Sequence, residues 1–270
     1  MFDILFAKTF FLVGMMLIIT TVTTRINKEY ETTIEAVLTF LGGFLFLFAV
    51  TFFAEIYPLN LFLVGCFAGV VGWSLGPTIT HFGRRFKLKR FLKSRNIEVK
   101  EDPKDKNAVL YFRNSSNGEQ EIIHEEEVVK LLAEFELEIE KGGDPYNKKW
   151  QDTVFQAMLG TTLAVFATAT LVFTSSIDFS FLGMFLFIAL LLLIIITLLN
   201  MFIFKSDRVS LIKAYFGVLI FTGYLIFDFN RLESLMAEGD TSWSAAIDIA
   251  VNLYLDIINL FLDLLEILAE

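Results

Sequence analysis

"NLYLDIINLFLDLLEILAE", residues 252–270, decides how this chain is read. Its leucines, isoleucines and phenylalanines suit a helix surrounded by other apolar helices, yet Asp256, Asp263 and Glu266 stand among them. With the residues just upstream, the polar positions are Asp248, Asn252, Asp256, Asn259, Asp263 and Glu266. Their spacings are four, four, three, four and three, so all six share one narrow face of an α-helix. The other faces are apolar, and the helix can lie deep in a bundle with its polar seam turned away from lipid. Asp248 and Glu266 lie near the ends, within reach of water. Asp256 lies near the middle of the span, where a charged side chain costs at least ~2.5 kcal/mol on insertion scales. A residue there needs a partner, a proton or water.

The composition agrees with that setting. Of 270 residues, 55% are apolar, 31 are phenylalanine and only four are proline, and the mean hydropathy is clearly positive. This is the make-up of a membrane protein, not a soluble globule. The net charge of -9 says little, because the charged residues avoid the apolar runs and collect in one central stretch. Nucleic acid is not an expected partner. One cysteine, Cys66, forms no intrachain disulfide, and His81 and His124 alone supply no Cys/His zinc spacing. The N-terminus starts with an acid and lacks a small-residue cleavage site after its apolar run, so it reads as a first span rather than a removable signal peptide.

A span needs about 20 largely apolar residues, because a helix rises about 1.5 Å per residue across about 30 Å of hydrocarbon. Seven stretches qualify, at approximately 5–24, 33–55, 59–81, 152–174, 179–204, 209–235 and 242–268. The expected fold is an all-α integral membrane bundle of seven helices. Three domains follow: 1–81 with spans one to three, an insertion at 82–151, and 152–270 with spans four to seven. Arg25, Lys28, the run "RRFKLKRFLKSR" from Arg84 to Arg95, Lys205 and Arg208 fall on one side. Little beyond Lys8 and Arg231 falls on the other. The positive-inside rule then places the N-terminus outside, with the insertion and the C-terminus in the cytoplasm. The small size and the absence of retention signals favour a bacterial plasma membrane.

The insertion is compositionally distinct. After the basic run and "KEDPKDKN" come "AVLYF", a turn at Asn117-Gly118 and "EQEIIHE", the pattern of a β-hairpin. In "EEEVVKLLAEFELEIEKGG" Val128, Leu131, Leu132, Phe135 and Ile139 share one face of a helix that Gly142-Gly143 stops. The result is a small α+β appendage, expected to pack on the bundle, on a protein partner or on another copy. Its basic run could hold anionic headgroups at about 1 kcal/mol per residue. The plainer reading, positive-inside anchors, is preferred. The sequon Asn114-Ser115-Ser116 should be silent in a cytoplasmic loop.

Two further patterns run through the spans. Gly65, Gly69, Gly72 and Gly76 form a stripe at spacings of four, three and four, which suits close helix packing better than a pore wall. Ala157, Gly160, Thr161, Ala164 and Thr168 repeat the idea in span four. In span six, Asp228 shares a face with Gly217, Phe221 and Tyr224. Two buried carboxyls on neighbouring helices cannot both be charged comfortably, so Asp228 and Asp256 would share a proton and titrate as a unit. The pairing requires equal depth. Asp256 lies about 21 Å from the outer end of span seven, and Asp228 reaches that depth only if span six continues helically through "FNRLESLMAE" to Gly239.

"GVLIFTGYLIFDFNRL" followed by "SAAIDIAVNLYLDIINLFLDLLEIL" closely resembles the last two spans of the Bax inhibitor motif family. "GWSLGPTI", "QAMLGTT" and "FLGMFLFIALLLLII" extend the similarity, whereas residues 82–151 depart from it. The resemblance implies a bundle whose seventh helix is wrapped by the other six, and a pH-sensitive calcium leak without resident cofactor. In that picture Asp228 and Asp256 share a proton when closed and pass cations when ionised. They also form a weak calcium site, with Asn252, Asn259, Asp263, Glu266 and Tyr224 as the supporting seam. Two carboxylates and a few carbonyls hold calcium only weakly. A cationic latch is not provided by span two, which has no lysine or arginine; only Arg231 stands near Asp228 in sequence.

Other readings compete with the leak. The resemblance also takes in regulators of cell death or of membrane proteases, for which the amphipathic helix of the insertion would be a docking surface. An intramembrane aspartyl protease ranks last, since "YLIFD" and "LYLD" lack its Gly-x-Gly-Asp element, and the expectation is that the protein is not an enzyme. The aspartates could also be neutral polar glue, at ~0.6 kcal/mol per interhelical hydrogen bond.

Overall fold

The computed structural model describes residues 3–101, 109–114, 120–141, 143–204 and 206–270. The turn at Asn117-Gly118, Ser115 and Ser116 of the sequon, most of "KEDPKDKN", Gly142 and Lys205 lie outside the described residues. The helices are α1 (Ile4–Ile26), α2 (Thr33–Phe52), α3 (Leu59–Ser94), α4 (Glu125–Lys141), α5 (Asn147–Thr174), α6 (Leu182–Leu199), α7 (Asp207–Ala237) and α8 (Trp243–Ala269). Three strands accompany them, β1 (Ile97–Glu101), β2 (Val109–Asn114) and β3 (Gln120–Ile122), and a π-helical turn, Asn200–Phe204, extends α6. All the helices except α4 are long and apolar enough to cross a membrane. The helix starts follow local chemistry. Asp3 accepts the N–H groups of Leu5 and Phe6 at the head of α1, and Ser242 accepts that of Ala245 at the head of α8.

Helix α8 lies in the centre and packs against α7, α1, α5 and α3. Helix α2 rests chiefly on α3 and α6 on α7, and each has one buried side chain, Val50 and Leu186 respectively. Four helices rather than six therefore line α8 directly, because the two most uniformly apolar ones have little polar surface to hide. Phenylalanines, leucines and isoleucines such as Phe44, Phe185 and Leu219 cover the outside, as a lipid-facing surface requires. Inside, the fully buried Tyr254 of α8 donates its hydroxyl to Thr20 Oγ1 of α1 at 2.6 Å. Thr20 in turn donates to the Ala68 carbonyl of α3 at 3.1 Å, so one chain of hydrogen bonds ties three helices.

The glycine stripe of α3 faces α1, and its members differ in how closely. A Cβ at Gly72 would stand 2.0 Å from Thr23 Oγ1 and 2.6 Å from the Thr20 carbonyl oxygen; at Gly76 it would stand 1.7 Å from the Asn27 carbonyl oxygen. At Gly65 it would meet only the end of Ile19, at 3.6 Å. This close approach lets Thr24 donate to the Gly72 carbonyl at 3.1 Å and the Asn27 amide to that of Trp73 at 3.0 Å. The stripe is a packing face, as small residues between membrane helices generally are. In span four, Ala157, Thr161 and Thr168 are likewise buried.

The insertion grows out of α3. Helix α3 continues past the apolar stretch to Ser94, so the basic run is helical, and the strands form an antiparallel sheet in the order β1-β2-β3. Strands β2 and β3 make the anticipated hairpin, with Phe112 opposite Ile122; β1 adds to its other edge, with Val99 opposite Tyr111. Leu131 and Phe135 of α4 pack into a small core with Phe91, Leu92, Ile97 and Ile123. The acids of α4 reach the basic run: Arg84 pairs with Glu136, and Arg95 with Glu134 at 3.3 Å and Glu138 at 3.5 Å. Lys87 pairs with Asp144 at 2.5 Å, and Arg85 and Lys89 with the C-terminal residue Glu270 at 3.2 and 2.8 Å. Lys87 and Asp144 are largely enclosed, whereas the more exposed pairs are worth ~1 kcal/mol at most and orient the insertion more than they hold it.

The α1–α3 contact makes a sharp stability prediction. Gly76→Ala puts a methyl against a backbone carbonyl that cannot retreat alone and should cost about 1–3 kcal/mol, whereas Gly65→Ala should be near neutral. Thermal unfolding of both variants in detergent checks this; equal midpoints would refute the close approach.

Candidate functional site

The turn joining α7 to α8 fixes the site. Gly239, at φ +77°, takes the left-handed conformation just past the end of α7, and Ser242 caps α8 three residues later. The two helices therefore run antiparallel along their whole length. Because α7 continues helically to Ala237, Asp228 lies well inside the bundle, as the pairing with Asp256 requires.

From that turn towards the insertion end, the facing residues follow in order. Arg231 pairs with Asp248 at 2.5 Å, both half exposed. Next, the carboxyls of Asp228 and Asp256 interact directly, side chain to side chain, at 3% and 6% exposure. Asp256 Oδ2 is buried without a hydrogen-bond partner, and the Tyr224 hydroxyl lies within the field of both acids. Asp263, also buried, fills the space a side chain at Gly217 would need: a Cβ there would stand 2.0 Å from Asp263 Oδ2. Glu266 accepts a hydrogen bond from Ser210 Oγ and lies 3.6 Å from Lys213 Nζ. Asn252 and Asn259 are half-buried on the same face of α8.

A cavity of ≈ 720 Å³ opens at the turn end, among the end of α2, the start of α3 and the facing ends of α7 and α8. Glu55, Asn60, Arg231, Asp248 and Asn252 give it polar walls. Asn252, on its wall, is one helical turn from Asp256, which does not itself line the cavity. Among the described residues no cluster of three or more acids, histidines or cysteines is arranged to hold a metal. A cation at the pair would have two carboxyls and neutral oxygens only, a weak ligand set for calcium.

Some members of this face were not singled out from the sequence. Ser210 and Lys213 continue the row Gly217, Phe221, Tyr224, Asp228 at spacings of three and four, so the same periodicity carried that signal. Asn230 was also unmarked. Its amide donates to Asp178 at 3.0 Å and its Oδ1 accepts the Phe179 N–H at 3.0 Å, which pins the α5–α6 loop to α7. No spacing rule reaches from residue 178 to residue 230.

Fold and site together define a multi-pass helical membrane protein with a carboxyl pair in its core. Residues 146–270 match the family described as "Inhibitor of apoptosis-promoting Bax1", so the resemblance to the Bax inhibitor motif family holds over the last four spans. The chain is 41% identical over 115 residues to the "Golgi anti-apoptotic protein" of Vaccinia virus (strain Lister), covering 43% of this chain and 46% of that one. It is 38% identical over 120 residues to "Protein LIFEGUARD 1" of Arabidopsis thaliana, covering 43% and 49%. Against an uncharacterized membrane protein of Streptococcus pyogenes serotype M3 it is 34% identical over 119 residues, covering 43% and 52%. The match spans about half the length of these relatives.

The loop acid yields a prediction of known sign. The Ser180 N–H, the Ser180 hydroxyl and the Asn230 amide hold the Asp178 carboxyl below the usual carboxylate range. A depressed value in the folded state stabilises above the unfolded value, near 4, and the contribution is lost as pH falls through the folded value. Asp178→Ala should therefore lower the thermal midpoint at pH 7 by an amount constant from pH 5 to 8, and the gap should close below about pH 4. A gap that changes between pH 5 and 8 would contradict this assignment.

Proposed function

We propose that this protein is a proton-gated cation leak, with calcium as the transported ion and the Asp228–Asp256 pair as gate and pH sensor. The observation that carries the reading is the direct contact of two carboxyls from α7 and α8 inside an apolar core, with one oxygen of Asp256 left without a partner. A proton shared by the two acids holds α7 against α8 and denies a cation its ligands. Loss of that proton leaves two negative charges side by side, which repel one another and attract a cation. The polar cavity walled by Asn252 lies towards one end of the seam, and Asp263 and Glu266 continue it towards the other. Under the positive-inside rule, the basic run of α3 supports a cytoplasmic second end, with the N-terminus outside. The similarity to a streptococcal membrane protein fits a bacterial plasma membrane. No enzymatic step is needed for this activity.

The test is calcium flux into liposomes holding the purified protein, from pH 5 to 8. Flux should rise with pH, and Asp228→Asn and Asp256→Asn should each flatten the profile, since an amide cannot lose the proton. A pH-independent flux unaffected by either substitution would sink the proposal.

The printed names of the viral and plant relatives favour a second reading, a membrane regulator of cell death without transport of its own. It predicts flux no greater than that of protein-free liposomes at every pH.

A further inference from the structure

The insertion end of the α7–α8 seam holds a second group of acids that the gate does not use. Asp263 and Glu266 stand one turn apart on α8, at 8% and 9% exposure. Both face α7, where Gly217 presents no side chain to Asp263, and Ser210 and Lys213 approach Glu266. Asp263 Oδ2 is buried with no hydrogen-bond partner, and it stands where a Cβ at 217 would collide with it. Lys213 and Glu266 are the charges whose fields reach it. An unpartnered, buried carboxylate oxygen is costly for a structure that needs only packing, and a leucine at 263 opposite Gly217 would fill the same space without that cost. The arrangement suits a cation: two carboxylates and a hydroxyl from two facing helices offer oxygen ligands.

One cation is already there. The Lys213 ammonium lies 3.6 Å from Glu266 on a flexible stem, at 21% side-chain exposure. We propose that Asp263, Glu266 and Ser210 form a second, inner cation-binding site, distinct from the Asp228–Asp256 pair, in which the Lys213 ammonium is a tethered competitor for the ion. A tethered ammonium keeps the acids balanced when no ion is bound and weakens an arriving divalent ion by repulsion. The site so holds ions loosely and releases them. The inference deepens the leak reading and rests on it for its purpose, but the binding itself can be measured without transport.

The probe is Mn²⁺, followed by electron paramagnetic resonance on the purified full chain in detergent, where bound ion loses the free-ion signal. Lys213→Met should tighten Mn²⁺ binding at least about tenfold, a modest return for removing a positive charge a few ångströms from the ion. Adding Asp263→Asn to Lys213→Met should remove the gain, while adding Asp256→Asn should leave it. Where Lys213→Met does not yield folded protein, judged by its thermal midpoint, Lys213→Gln serves with the same expectation. A Lys213 variant that folds and binds Mn²⁺ no tighter than the parent overturns the inner site, and so does a gain that survives Asp263→Asn; Lys213 is then an ordinary ion-pair partner. A gain that depends on Asp263, together with flat liposome flux, upholds the site and removes the leak.

Discussion

Buried polar groups in an apolar surrounding must find their partners inside the protein, and the six polar side chains on one face of α8 impose that requirement along its whole length. Helix α7 meets most of it. It supplies Arg231 for Asp248, Asp228 for Asp256, a side-chain-free position at Gly217 for Asp263, and Ser210 with Lys213 for Glu266. The antiparallel pairing and the length of α7 follow from that matching. A shorter α7 would leave Asp228 in the turn and Asp256 alone in the core. The remaining helices then arrange themselves by what they have to hide. Helices α1, α3 and α5 close around the apolar faces of α8, and α2 and α6 stay outside because lipid suits them as well as protein does.

The insertion follows the same rule outside the apolar spans. Its helix α4 has one apolar strip and many acids, too little to fold alone. It obtains the rest from α3, whose continuation past the apolar stretch brings Phe91 and Leu92 as core and the basic run as counter-charge. The residues that would anchor a membrane helix in general serve here to seat a sheet and a helix. Lys87 and Arg85 extend the same service to the start of α5 and the end of α8.

Much of this was legible in the chain itself. The spans, the hairpin strands, the α4 face, the packing role of Gly72 and Gly76 and the juxtaposition of Asp228 with Asp256 follow from periodicity and from the need of a mid-span acid for a partner. What escaped has physical reasons. The helical run to Ser94 was hidden because hydropathy marks where lipid ends, not where a helix ends. Strand β1, with Ile97 and Val99 alternating against Glu98 and Lys100, carries a period-two signal too short to stand out behind a run of cations. The Asn230–Asp178 tie joins distant segments through single hydrogen bonds, which no local pattern records. The number of helices lining α8 depends on which apolar surfaces prefer protein to lipid, and in that respect apolar sequences are nearly alike.

Between α1 and α3 there is no layer of side chains at Gly72 and Gly76, only backbone against backbone and the small groups of Thr20, Thr23 and Asn27. Ordinary helix contacts slide by letting flexible side chains change rotamers. Two backbones keyed in this way must separate before either can shift along its axis. Helices α1 and α3 thus behave as one rigid stator, and α8 is tied to them through Tyr254 and Thr20. Helix α6 is keyed to α7 in a similar way: a Cβ at Gly183 would stand 2.8 Å from Phe227, and one at Gly223 2.7 Å from Leu186.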